Sequence, residues 1–226
     1  MPRTVTTYVC QNCGAQSRQF FGRCSSCGSW NSLVEQSSGP PPDGRRRRQS
    51  AQSAEPAPRR SEAMAAVGER AVQRLGTGFA ELDRVLGGGL VPGSLVLVGG
   101  DPGIGKSTLL LQTAADLAQR QSVLYVSAEE SAQQVKLRWQ RLAAAGGGGD
   151  GPQLLAETDL EQVLQELEAL RPDVAVIDSI QALHDAELSS APGSVAQVRE
   201  CAASLQRLAK KLDIALLLVG HVTKEG

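Results

Sequence analysis

LVLVGGDPGIGKSTLL, residues 95 to 110, decides the fold of this 226-residue chain. A short apolar run, Leu95 to Val98, enters a glycine-rich turn that ends in Lys106 and Ser107, and a second apolar run follows. Gly100, Gly105, Lys106 and Ser107 match the phosphate-binding pattern G-x-x-x-x-G-K-[ST] in full. The residue types follow from the chemistry. Successive backbone N–H groups have to wrap a polyphosphate, and side chains at Gly100, Gly103 and Gly105 would block that approach. The helix that starts next points its N-terminus at the same anion. Lys106 reaches the terminal phosphates and the Ser107 hydroxyl holds Mg²⁺. A strand before and a helix after is the context this pattern demands, so a nucleotide-binding site is expected over Gly100, Asp101, Pro102, Gly103, Ile104, Gly105, Lys106, Ser107 and Thr108.

Working outward, the sequence alternates strand-like and helix-like segments. Upstream, AELDRVLGGGL reads as a short helix closed by glycines, and Pro92-Gly93 turns the chain into a strand over 94–99. Downstream come a helix over about 105–120 and the apolar strand 122–127. A helix to about Ala145 then meets a run of four glycines, followed by a short strand over 153–156. Thr158 with Glu161 and Ser194 with Gln197 read as capping boxes that open two further helices. The first keeps Leu160, Val163, Leu164, Leu167 and Leu170 on one face at a 3.6 period, and Pro172 stops it. DVAVID (173–178) and IALLLVG (214–220) complete five strands. This alternation calls for a parallel sheet with helices on both faces, an α/β fold.

Two carboxylates fall where chemistry needs them. Asp178 ends an apolar strand, so in a parallel sheet it emerges at the edge that carries the glycine-rich loop. There it can hold Mg²⁺ opposite Ser107. Glu129 follows the strand 122–127 at the same edge, where a carboxylate can polarise a water that attacks a terminal phosphate. Its neighbour Glu130 competes for that role and also reads as a helix N-terminal acid favoured by the dipole. Lys106, Glu129 and Asp178 are therefore the catalytic candidates. His221, after the fifth strand, stands with Thr223 where a polar side chain senses a bound terminal phosphate. His184 reads as a surface histidine and Cys201 as part of the core.

The front of the chain differs in kind. Cys10, Cys13, Cys24 and Cys27 are spaced C-x₂-C-x₁₀-C-x₂-C, two knuckles that close on one tetrahedral ion. Four thiolates so paired suit Zn²⁺; the same geometry admits iron, and the pairs could also serve as redox dithiols. Tyr8, Phe20, Phe21 and Trp30 are expected to pack around so small a site. Residues 1–34 form this finger. Residues 35–70, rich in Pro, Ser and Arg and including Arg45 to Arg48, read as a flexible linker. Residues 71–226 form the nucleotide-binding core. The net charge of −1 conceals a basic front and an acidic remainder, which directs any nucleic acid to the front or to a local patch. The N-terminus carries no apolar secretory segment, and no apolar run reaches the ~18–20 residues of a membrane span. A cytoplasmic protein with free or metal-bound thiols is expected.

Taken together, the four-cysteine finger, RLGTGFAELDRVLGGGLVPGSLVLVGGDPGIGKSTLLLQ, LYVSAEES, VIDSIQ, SSAPGSVAQVREC and GHVTKEG resemble one family, the bacterial RadA (Sms) DNA repair ATPases. The resemblance spans nearly the whole chain outside the linker. It implies a RecA-like P-loop ATPase core behind a zinc finger, with ATP, Mg²⁺ and Zn²⁺ as ligands. It also implies ATP-driven work on single-stranded and branched DNA, in which heteroduplex is extended and branches migrate beside a RecA-type recombinase. By the same resemblance, Gly103 to Thr108 bind ATP and Mg²⁺, Glu129 activates water, Asp178 completes the metal site and His221 to Lys224 sense the γ-phosphate. Full-length members form a homo-oligomeric ring and continue through a Lys-Asn-Arg-Phe-Gly motif and a Lon-protease-like domain. This sequence stops at Gly226, so an incomplete core is expected. Without the trans-acting Lys and Arg, ATP binding with weak hydrolysis is expected, since a missing positive finger costs ~10³-fold or more. A zinc-finger ATP switch that recruits a partner without effective turnover is the alternative reading. Glu129 favours the enzyme, because a pure switch has no need of a general base.

Overall fold

The computed structural model describes residues 6–10, 13–30, 32–37, 61, 63–66, 73–143 and 150–221. Arg45 to Arg48 in the linker, and Thr223 and Lys224, lie outside the described residues.

The finger holds three short antiparallel strands, β1 (Thr6–Cys10), β2 (Gln16–Ser17) and β3 (Leu33–Ser37), in the order β2-β1-β3. β3 carries the pairing with β1 out to Ser37. Such a sheet has almost no core of its own: Val9, Cys10, Cys24 and Leu33 are its buried apolar residues. Of the four aromatics expected around it, Tyr8 packs against the cysteine cluster and the other three do not. Tyr8 and Phe20 meet edge to face, with ring centroids 5.6 Å apart, whereas Phe20, Phe21 and Trp30 are exposed. The four cysteines hold the unit's centre in their place.

The core is a five-stranded parallel sheet. Its strands are β4 (Leu95–Gly100), β5 (Val123–Ser127), β6 (Gln153–Ala156), β7 (Val174–Asp178) and β8 (Ala215–His221). They lie in the order β4-β8-β7-β5-β6. The helices are α1 (Ala80–Val85), α2 (Lys106–Leu117), α3 (Ala132–Ala143), α4 (Leu160–Leu170) and α5 (Val195–Leu212). Strand side chains alternate between the two faces, and the core splits accordingly. Leu124, Val126, Ala175, Ile177, Leu216 and Leu218 pack with α4 and α5. Val123, Tyr125, Val174, Val176, Leu217 and Val219 pack with α2 and α3. Strands buried on both faces explain why their sequences are continuously apolar.

Helix starts depart from the expected pattern. Asp159, not Thr158, caps α4: its Oδ1 accepts from Glu161 N at 2.8 Å and Gln162 N at 3.3 Å. Glu157 accepts from the Thr158 and Asp159 amides, which moves the cap one residue on. Ser194 does cap α5, accepting from Gln197 N at 3.4 Å, but the Gln197 side chain does not reach back. It turns into the preceding loop, accepting from Asp185 N and donating to Asp185 O and Ser190 O. The reciprocal box is found before α3, where Ser131 and Gln134 bond each other's amides.

Candidate nucleotide site and metal centre

The carboxyl ends of the parallel strands share one edge, and register fixes what stands there. Gly100 pairs with His221 across β4 and β8, and Ser127 pairs with Asp178 across β5 and β7. In open α/β sheets that edge is where ligands bind. The loop between β4 and α2 has the required form. Gly103 and Gly105 have φ of +80° and +95°, and a Cβ at either would project into open space. An anion can therefore come against the backbone there. Gly105 caps α2 with no side-chain hydrogen bond, so no side chain of the cap competes for the helix's first-turn N–H groups. Lys106 is buried, its Nζ donating to Gly100 O and Asp101 O at 2.8 Å each. Its ammonium is thus held over the mouth of the loop. The donor set and the open cradle fit a polyphosphate with its divalent cation.

Asp178 is reached from two sides. Ser107 Oγ donates to its Oδ1 at 3.0 Å across 71 residues of chain. The Tyr125 hydroxyl donates to its Oδ2 at 2.6 Å. Burial, and then the Asp178 charge, push the Tyr125 phenol far above its ordinary range, so it stays a proton donor. A serine hydroxyl beside a carboxylate is an oxygen donor pair of the kind Mg²⁺ takes.

The two adjacent acids part company. Glu130 pairs with Arg138 of α3, and its backbone carbonyl accepts from Ser127 Oγ at 2.8 Å. Glu129 instead faces the sheet edge, where its Oε1 accepts from Ser179 Oγ and lies 3.2 Å from His221 Nε2. His221 Nδ1 is buried without a hydrogen-bond partner among the described residues, and the His221 carbonyl accepts from Gln181 Nε2 at 3.2 Å. The structure thus gathers Lys106, Ser107, Asp178, Glu129 and His221 at one edge. His184 lies apart, bridging through its backbone to Asp159, and Cys201 is fully buried. Sequence reasoning missed Tyr125 and Ser179. The available signals were a lone tyrosine inside the apolar strand VLYVS and a serine directly after the strand-end aspartate.

In the finger, the four Sγ atoms lie within 4.8 Å of one another. Cys10 and Cys27 are 3.7 Å apart, and Cys13 and Cys24 are 3.6 Å apart. A tetrahedron with metal–sulfur bonds of ~2.3 Å has edges of about 3.8 Å, so the cluster has the size of a four-thiolate zinc site. Gly14 and Gly28, at φ of +69° and +75°, donate their N–H to Cys10 O and Cys24 O at 2.9 Å, closing the two knuckles. The Ala15 backbone lowers the Cys13 pKa, but burial and the other three thiols outweigh it and push it up to about 11. Four thiols so close do not ionise together without a cation among them.

Fold and site together define a class, the RecA-like P-loop ATPase core preceded by a four-cysteine zinc finger. Comparisons agree with it. Residues 57–226 match the AAA domain family and residues 8–35 the rubredoxin metal-binding domain family. Among solved structures, a KaiC-like protein of Pyrococcus horikoshii shares the fold, with TM-score 0.51 at 20% identity, covering 67% of this chain and 71% of that one. The DNA repair protein RadA of Listeria monocytogenes is 46% identical over 99% of the chain, and that of Halalkalibacterium halodurans 48% identical over 100%. RadA of Bacillus subtilis is 45% identical, again over 100%. The chain belongs to the RadA family of DNA repair proteins, and it spans about half the length of these relatives, 48% of each.

Proposed function

We propose that this chain supplies the ATP-binding and hydrolysing part of a DNA-dependent repair motor that processes branched recombination intermediates. Branch migration and support of RecA-type strand exchange in the cytoplasm are the activities proposed. The observation that carries the reading is the Ser107–Asp178 hydrogen bond, which joins the phosphate loop to a strand-end carboxylate with Glu129 close by. In this reading Gly100 to Thr108 cradle the phosphates, and Lys106 turns from its two carbonyls to the terminal phosphate. Ser107 and Asp178 hold Mg²⁺, which when bound neutralises charge developing on the phosphates. Glu129 orients and deprotonates the attacking water, and His221 registers whether the γ-phosphate is present. The proposed division is a zinc finger over 1–34, a linker over 35–70 and the ATPase core over 71–226. Full-length members are proposed to act as homo-oligomeric rings.

The finger suits the DNA side of this proposal. It exposes Phe20, Phe21 and Trp30, Arg23 lies over the Trp30 ring at 5.8 Å, and residues 1–34 contain no acid. Aromatic faces beside arginines stack on unpaired bases while the cations meet phosphate.

A second reading, a nucleotide-gated recruitment module without turnover, draws on the contacts of Glu129. Its Oε1 is engaged by both Ser179 and His221, which occupies the oxygen a base would use until something releases it. ATP binding and hydrolysis, with and without single-stranded DNA, separate the readings. Binding that is lost in Lys106→Ala, with DNA-stimulated turnover, is the expected result for the motor. Binding without turnover at any DNA concentration favours the module.

A further inference from the structure

We propose that Tyr125 is the positioning residue for Asp178, the donor that fixes how this carboxylate faces Ser107 and the divalent cation. The inference rests on the reading of Asp178 as a metal-site carboxylate.

The geometry begins with strand register. Ser127 of β5 stands beside Asp178 of β7, and Tyr125 stands beside Val176. Residues two apart on a strand point to the same face, so Tyr125 lies on Asp178's face, one pleat repeat back from the sheet edge. That repeat is about 6.6 Å, a gap a phenol can span and a shorter side chain cannot. The hydroxyl arrives on Oδ2 at 2.6 Å, while Ser107 occupies Oδ1 at 3.0 Å.

The surroundings make this donor a fixed one. Tyr125 is fully buried and packs among the residues beneath α2 and α3. A carboxylate with one oxygen unbonded could rotate about its last torsion, which is broad and roughly two-fold. With Oδ2 pinned from below, Oδ1 is left at the mouth of the site. The chain's other tyrosine, Tyr8, lies in the finger and cannot substitute.

The test is the Mg²⁺ dependence of ATP-analogue binding by the full chain and by Tyr125→Phe, measured alongside affinity in EDTA and thermal stability. A hydrogen bond to a charged group makes the expected effect on the order of a tenfold rise in the Mg²⁺ needed for half-saturation, with EDTA affinity unchanged. A merely structural tyrosine would lower both affinities together or neither, and either pattern overturns the proposal. Should the variant fold poorly, 3-fluorotyrosine labelling of the unaltered chain gives a second measurement. Two resonances are expected, assigned with Tyr8→Phe, and the Tyr125 signal should move when Mg²⁺ is added to the nucleotide-saturated protein. A signal that stays fixed overturns the positioning role. Nucleotide binding by the unaltered chain that ignores Mg²⁺ altogether would instead remove the metal-site reading, and this inference with it.

Discussion

At the scale of single residues, the site is decided by pairs that are distant in sequence. Glu129 and Glu130 are chemically the same and adjacent, and only their partners distinguish them. Glu130 is neutralised by Arg138, whereas Glu129 reaches Ser179 and His221 across 50 and 92 residues. Glu129→Gln keeps the shape and the hydrogen-bonding capacity but removes the proposed base. It is expected to leave ATP binding nearly intact and to lower hydrolysis by roughly 10²–10⁴-fold, the range of general-base contributions. Single-turnover hydrolysis beside analogue binding measures this, and loss of both together would show a structural role. The phosphate loop was legible in the sequence because its chemistry lies within eight consecutive residues. Tyr125 and Ser179 were not, since a hydroxyl's partner 50 or more residues away leaves no local pattern.

At the scale of elements, the alternation of apolar and amphipathic segments was enough to place every core strand and helix. It left their ends uncertain, because a cap depends on which nearby amide reaches the side chain first. Ser194 was read correctly as a cap, yet the sequence could not show that Gln197 serves the loop before α5. Gln197 is buried at 1% exposure and makes three hydrogen bonds to Asp185 and Ser190. These bonds tie down the loop that runs from β7 to α5. Gln197→Ala leaves the Asp185 amide and the Ser190 carbonyl short of a partner, at a cost of ~1–3 kcal/mol for an unsatisfied buried group. Urea denaturation should show that loss, and limited proteolysis should cut within residues 185–194. Unchanged stability would mean that water replaces the amide.

At the scale of the whole molecule, two units answer to different physics. The core is held by apolar residues on both faces of a parallel sheet, and its α/β character was legible from strand–helix alternation alone. The order β4-β8-β7-β5-β6 was not, because many arrangements of five parallel strands satisfy the same alternation. The finger buries too little apolar surface to fold on that basis, and four thiolates around one cation supply what its own small cluster lacks. Removing the metal should therefore affect the finger and spare the core. Chelation, or Cys10→Ser, is expected to release zinc and abolish the finger's order while ATP-analogue binding by the core is retained. If the finger carries the DNA contact, single-stranded DNA affinity should fall at the same time and its salt dependence should become shallower. Trp30→Ala, which leaves the thiolates in place, should weaken DNA binding by ~1–3 kcal/mol, the worth of one stacked base, without loss of zinc. Undiminished DNA affinity in both variants would move the DNA contact to the core and leave the finger's aromatic face for a protein partner.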